Sequence, residues 1–132
     1  MNDEKPLAEK LIQFLEIGTP PADLFSENVF CDFTMPFWRL QAQGIDGVVA
    51  LRRRGHPGPG QVSRWRSAPT PNGFVIELEE RWEDRGHQWY SREMVWADVE
   101  RGRVISLSVY CTGDWDEVRR AAHAREVELL RP

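Results

Sequence analysis

Between Gln61 and Thr112 the chain alternates apolar and polar residues and is interrupted at three places by short turn clusters. The clusters are Ala68-Pro69-Thr70-Pro71-Asn72-Gly73, Asp84-Arg85-Gly86-His87 and Glu100-Arg101-Gly102. A period of two is the signature of a strand with one buried face. Connections this short join antiparallel neighbours, so the stretch predicts a four-strand meander. Such a sheet has one apolar face that needs a cover, and the residues before it must supply it.

They have the pattern to do so. Pro6 opens a helix whose Leu7, Leu11, Phe14 and Leu15 form one apolar stripe, and Gly18-Thr19-Pro20-Pro21 ends it. Ala22 to Ser26 reads as a short second helix, Val29 to Met35 as a strand stopped by Pro36, and Ile45 to Arg54 as a third helix closed by Gly55. His56-Pro57-Gly58-Pro59-Gly60 excludes regular structure. Asp114 and Glu117 have the spacing of a helix N-cap and its partner, which predicts a last helix over about 114–130. The expectation is one α+β domain over 1–132, with helices on one face of a curved antiparallel sheet.

Charge sets the strand register. Arg66 opposite Glu77 and Arg64 opposite Glu79 are favourable cross-strand pairs, and a slip by one would put arginines against aliphatic residues. The inner face then carries Ser63, Trp65, Ser67, Ile76, Leu78, Glu80 and Trp82. Pairing Arg92 with Glu79 adds Trp89, Ser91, Glu93 and Val95. A three-residue loop ending in Gly102 puts Val95 opposite Leu107, with Ile105, Val109 and Cys111 also inside. Two carboxylates, Glu80 and Glu93, therefore stand in an apolar wall, and Asp32 on the first strand is placed to look into the same space. Desolvation and like-charged neighbours raise a carboxyl's pKa toward the range where it moves protons near neutral pH. The competing reading of Glu80 is an ion pair with an arginine from a helix.

Composition removes several classes. The net charge of −4 disfavours a nucleic-acid partner, whose phosphates need a basic face. No apolar run is long enough to span a membrane, and Met1-Asn2-Asp3-Glu4-Lys5 lacks the basic start and apolar stretch of a secretory leader. Two cysteines, Cys31 and Cys111, make neither a disulfide framework nor a zinc site, which points to a reducing cytoplasm. No His, Cys and Asp spacing indicates a metal. Arg52, Arg53 and Arg54 read as a solvated helix end, with attraction of an anionic substrate as the alternative; His56 reads as an exposed loop residue or a mobile acid–base group, His87 and His123 as solvent-facing, and Cys111 as buried filler rather than a nucleophile. Tyr90, Met94, Trp96 and Tyr110 fall on the outer face, which predicts a homodimer there or cover by the last helix.

The segment Leu24-Phe25-Ser26-Glu27-Asn28-Val29-Phe30-Cys31-Asp32, then Gly44-Ile45-Asp46-Gly47-Val48, then Arg101-Gly102-Arg103-Val104-Ile105 to Tyr110, resembles the nuclear transport factor 2-like superfamily in its SnoaL-like branch. The likeness covers a core of about 7–112. It implies a cone: a strongly bent sheet wrapped on helices with a pocket at one end. It also implies chemistry without a metal or organic cofactor. By resemblance Asp32 stands at the isomerases' general base and Glu93 near their protonated oxyanion donor, whereas Leu11 stands where they carry a tyrosine. Arg81 and Glu83 echo the epoxide hydrolases' third-strand pair, but the register turns them outward. The function expected is isomerase, dehydratase or cyclase chemistry on a hydrophobic small molecule. Asp32, Glu93 and Glu80 would be catalytic, and Phe14, Trp65, Trp82, Trp89 and Val109 would line the substrate. The alternative is a non-catalytic binding or interaction module of the same fold.

Overall fold

The computed structural model describes residues 3–132. Met1 and Asn2, which open the stretch read as free of a leader, lie outside the described residues. The elements run α1 (Lys5–Ile17), β1 (Phe25–Met35), β2 (Trp38–Gln43), α2 (Ile45–Gly55), β3 (Gly60–Thr70), β4 (Gly73–Asp84), β5 (His87–Glu100), β6 (Arg103–Cys111) and α3 (Glu117–Glu126). The strands form one sheet in the order β2-β1-β6-β5-β4-β3. It is curved and open, with α1 and α2 against its inner face, so the expected α+β class is what the chain adopts. No helix among the described residues is long and apolar enough to cross a membrane.

Pro6 starts α1 and Gly18, at φ 86°, closes it with its N–H on the Phe14 carbonyl. Ala8, Leu11, Ile12 and Phe14 are the buried stripe, and Phe14 meets Phe25 edge to face at 5.3 Å. Burying a leucine or phenylalanine is worth about 1.5–3 kcal/mol each. The helix is therefore held by the sheet, since an isolated helix of this length is marginal in water.

The first two hairpins have the register that charge predicts: Arg66 pairs with Glu77, Arg64 with Glu79, and Glu79 with Arg92. A bulge between Val62 and Arg64 turns Val62, not Ser63, toward the core. The third hairpin differs from expectation. Its loop is the two-residue Arg101-Gly102 turn, both at positive φ, and Val95 pairs with Val109 rather than Leu107. A bulge at Ile105 then gives the fully buried place to Val104.

Three further expectations are corrected. Ala22–Ser26 is no helix: Phe25 already belongs to β1 and pairs with Val104, whose N–H donates to the Leu24 carbonyl at 2.8 Å. The free edge of β6 supplies the backbone partners that a helix would have supplied. β1 therefore runs parallel to β6, so the sheet is mixed rather than wholly antiparallel, and β2 turns back on it as an additional strand. The last helix is shorter than predicted. Its N-cap is Asp116, which accepts from the Arg119 N–H at 2.8 Å, and it ends at Glu126. The segment before it crosses β5 as a Tyr90–Trp115 bridge, with Arg120 over the Tyr90 ring at 5.1 Å. α3 thus covers one end of the outer face.

Gly73 opens β4 where the backbone of β5 comes closest. A Cβ there would overlap the Ala97 carbonyl oxygen and lie 3.1 Å from Asp98 Cα, and neither is a side chain that can swing away. Gly73→Ala is expected to cost about 1–3 kcal/mol in urea unfolding, as overpacking does. Gly55→Ala, where nothing lies within 4 Å, is the control and should be neutral or stabilising. Equal effects at the two positions would refute this reading of the close approach.

Candidate active site

Between the bent sheet and the two helices lies an open cavity of about 370 Å³. Its body is apolar. Leu11, Phe14 and Leu15 come from α1, Val48 and Leu51 from α2, and Phe33, Val95, Leu107 and Val109 from the sheet. Its charged and imidazole groups are Arg52, Arg54, His56, Glu93 and Asp114.

Arg52 sits four residues after Val48, on the buried stripe of α2, and is carried inward with it. Its Nη1 donates to Glu80 Oε2 at 3.0 Å and its Nη2 donates to Glu80 Oε1. The same Nη2 donates to the Leu15 carbonyl at the end of α1. Glu80 is 1% exposed, at the middle of β4. His56 follows α2, stacks on Trp82 with ring centroids 3.9 Å apart, and brings Nδ1 to 3.8 Å from Glu80 Oε1. Glu93, on β5, is 5% exposed and accepts from Ser91 Oγ at 3.4 Å. Its cross-strand partner Cys111 places Sγ 3.9 Å away.

The two glutamates differ in charge because one has the arginine and the other does not. Burial pushes both carboxyls up. At Glu80 this is outweighed by a proton shared from Glu93 and by the Arg52 guanidinium, which bring it down to about 2. Glu93 is left with burial and the neighbouring Glu80 charge, and rises well above the usual carboxylate range. Burial, reinforced by the Arg52 charge, lowers His56 to about 4, so its imidazole is neutral at neutral pH. Asp114 rises through burial and then the Glu80 charge. Cys111 and Cys31 are raised by burial first, to about 12 and about 11, so both stay thiols.

The structure brings Glu80 and Glu93 together, and Phe14 and Val109 into the cavity wall with Glu93. It does not bring in Asp32. On β1 it is Cys31 and Phe33 that line the cavity, and alternation turns Asp32 to the outer face. There Arg39 on β2 grips both oxygens at 2.8 and 2.6 Å and holds the carboxyl below its usual range. Trp65 packs on the core from β3, Trp82 is buried behind His56, and Trp89 stands near His87 at a centroid distance of 6.2 Å; none of the three borders the cavity.

Arg52 and His56 are the site residues that the sequence reading misplaced. The signal for Arg52 was its helical spacing from Val48. His56 carried no such signal, because a Gly/Pro loop has no period to place it. His87 is exposed as expected, though paired with Glu117 at 2.7 Å.

His56, Glu80 and Glu93 also offer donor atoms within 4.8 Å of one another, a grouping that sequence spacing did not indicate. Arg52 already donates to both Glu80 oxygens.

A raised carboxyl makes stability depend on pH with a definite sign. Glu93 holds its proton in the fold at pH values where the unfolded chain has lost it, so stability falls as pH rises toward the folded-state pKa. Glu93→Gln removes that loss. The melting temperature of the variant relative to wild type should rise between pH 5 and pH 8, with near equality at the acid end. A deficit that is the same at both pH values would show that Glu93 is an ionised structural partner.

No family model matches this chain, and neither does any curated protein sequence. Solved structures do. A protein of the nuclear transport factor 2-like type from Anabaena variabilis superposes with a TM-score of 0.69 at 19% identity, covering 86% of this chain and 96% of that one. A phenazine biosynthesis-related protein from Pseudomonas aeruginosa gives 0.60 at 12% identity over 100% of this chain and 90% of its own. A Catenulispora acidiphila protein with a ketosteroid isomerase-like fold, solved with trimethylamine, gives 0.63 at 7% identity over 83% and 88%. With its open bent sheet wrapped on two helices, this chain has the nuclear transport factor 2-like fold.

Proposed function

We propose that the chain is a small-molecule enzyme that works by acid–base chemistry in the cone, of the isomerase, dehydratase or cyclase type. The observation that carries this reading is a buried carboxyl, Glu93, on the wall of an apolar cavity and without an arginine partner, where burial and the nearby Arg52-paired Glu80 favour its protonated form. A neutral carboxyl in a water-poor site donates a hydrogen bond to a ligand oxygen where charge develops. Once deprotonated it is a stronger base than a solvated carboxylate, which suits it to taking a proton from carbon beside a carbonyl. Glu80 is a positioning residue here. Locked by Arg52, its charge holds the proton on Glu93. Neutral His56 is the second group able to hydrogen-bond a ligand oxygen at that level. Asp32, turned outward and paired, has no part in this scheme. The trimethylamine bound to the Catenulispora protein supports small-molecule binding by the fold. The free thiols are compatible with a reducing cytoplasm.

Proton exchange tests the chemistry without knowledge of the product. Wild type should speed deuterium uptake beside the carbonyl of an apolar ketone in heavy water, read by NMR. Glu93→Gln should lose about 100-fold or more of that acceleration. The wild-type rate should also fall as pH rises past the Glu93 pKa if the acid form acts, and rise there if the base form acts. Undiminished exchange in Glu93→Gln would sink the role of Glu93.

A second reading is favoured by the outer face, where Met94, Trp96 and Tyr110 remain exposed at 46%, 49% and 58%. α3 covers Tyr90 but not these three, and a second copy of the chain is the occupant we propose. Sedimentation should then show a dimer that Trp96→Arg shifts toward monomer. A wild type that stays monomeric at high concentration would rule out this interface.

A further inference from the structure

The register of the sheet sorts the cavity into levels, and polarity is confined to one of them. Glu93 pairs with Cys111, and Met35 stands one place beyond the Thr34–Tyr110 pair, level with Cys111. Trp38 pairs with Met35, so Trp38, Met35, Cys111 and Glu93 form one row across the inner face. The next row inward is Leu40, Phe33, Val109 and Val95. Beyond it come Cys31 and Leu107, which line the cavity together with Leu11 of α1. The charged and imidazole groups of the cavity, Arg52, Arg54, His56, Glu93 and Asp114, come from the end of α2, from the Glu93 row and from the segment after β6. From the Phe33 row inward the sheet offers only aliphatic and aromatic side chains and the Cys31 thiol.

We propose that the site takes a one-headed amphiphile, apolar end first, with its single polar group held in the Glu93 row and Trp38 closing over it. This rests on the reading of Glu93 given above and adds the class and orientation of the substrate. A hydroxyl or carboxylate at the far end of the ligand would be stripped of water with no partner to replace it. The apolar end, by contrast, gains from each methylene buried, by about fourfold in affinity. Trp38 shares its face with the cavity-lining Met35 and Leu40, yet is 66% exposed. It follows the Pro36-Phe37 turn, where Phe37 stands at φ 62°. The turn is braced by Gly113, whose Cα has room for only a hydrogen against the Pro36 ring, since a Cβ would lie 3.2 Å from Pro36 Cγ. Trp38 thus stands beside the cavity-lining Met35, in the row of the reacting carboxyl and three strands from it.

Three probes decide it: hexan-2-one, decan-2-one and 10-hydroxydecan-2-one, titrated by calorimetry and by tryptophan emission. Decan-2-one should bind more tightly than hexan-2-one, and its 10-hydroxy derivative at least about tenfold more weakly. Decan-2-one should shift the emission to the blue, and Trp38→Phe should remove that shift. Equal affinity for decan-2-one and its 10-hydroxy derivative would overturn the apolar-first orientation. An undiminished shift in Trp38→Phe would overturn the role of Trp38. In both cases acid–base chemistry at Glu93 would stand. Absence of binding by all three would overturn the cavity as a substrate site, and the proposed function with it.

Discussion

Arg52 spans three elements with one guanidinium: it rises from α2, grips both oxygens of Glu80 on β4, and donates to the Leu15 carbonyl that ends α1. All three contacts are largely shielded from water, so each is worth more than on a surface, and each is costly to break. Removing one partner of such a pair typically costs about 3–5 kcal/mol, because the other charge is left stranded in a low dielectric. Keeping the pair gains little over a well-packed apolar pair of the same volume. Stability alone is therefore a poor reason for it. Its other consequence is electrostatic. A fixed negative charge on Glu80 holds the proton on Glu93, and a fixed positive charge on Arg52 helps to hold His56 neutral. The interaction that ties the helices to the sheet thus adds to burial in setting the charge states of Glu93 and His56.

The sheet does the complementary work. Bulges at Ser63 on the edge strand β3 and at Ile105 on β6 kink and twist it locally, and the curved sheet leaves a cavity under the helices. Strand alternation then decides which side chains see that cavity. On β5 it turns Ser91, Glu93 and Val95 inward and leaves Met94 and Trp96 outside. On β1 it turns Cys31 and Phe33 inward and gives Asp32 to Arg39. A difference of one residue along β1 separates a base in the cavity from a surface ion pair.

Much of the meander was legible because opposite charges across a strand pair admit one register. The Arg66–Glu77, Arg64–Glu79 and Glu79–Arg92 pairs are all in place. The third hairpin had no such charges to count. Its turn is one residue shorter than the pattern suggests and a bulge at Ile105 adds a second step, so the predicted pairing slipped by two; Leu107 and Val109 kept their face, while Ile105 lost its place to Val104. Leu24 and Phe25 look helical in isolation, and only the edge of β6, far along the chain, makes them strand. β2 escaped for the same reason: six residues between two turns have too short a period to declare themselves.

What the sequence by itself determined is everything that depends on neighbours along the chain or across a charged hairpin. That covers α1, α2, the meander, and the presence of Glu80 and Glu93 on one apolar face. Periodicity and cross-strand charge are local rules, and they hold wherever the chain folds. Only the tertiary structure decided which of those carboxyls keeps a proton. That depends on Arg52 reaching Glu80 rather than Glu93, and on His56 folding back from an irregular loop onto Trp82. A pKa is fixed by burial and by charges a few ångströms away, and distance through space is the quantity that a linear text does not carry.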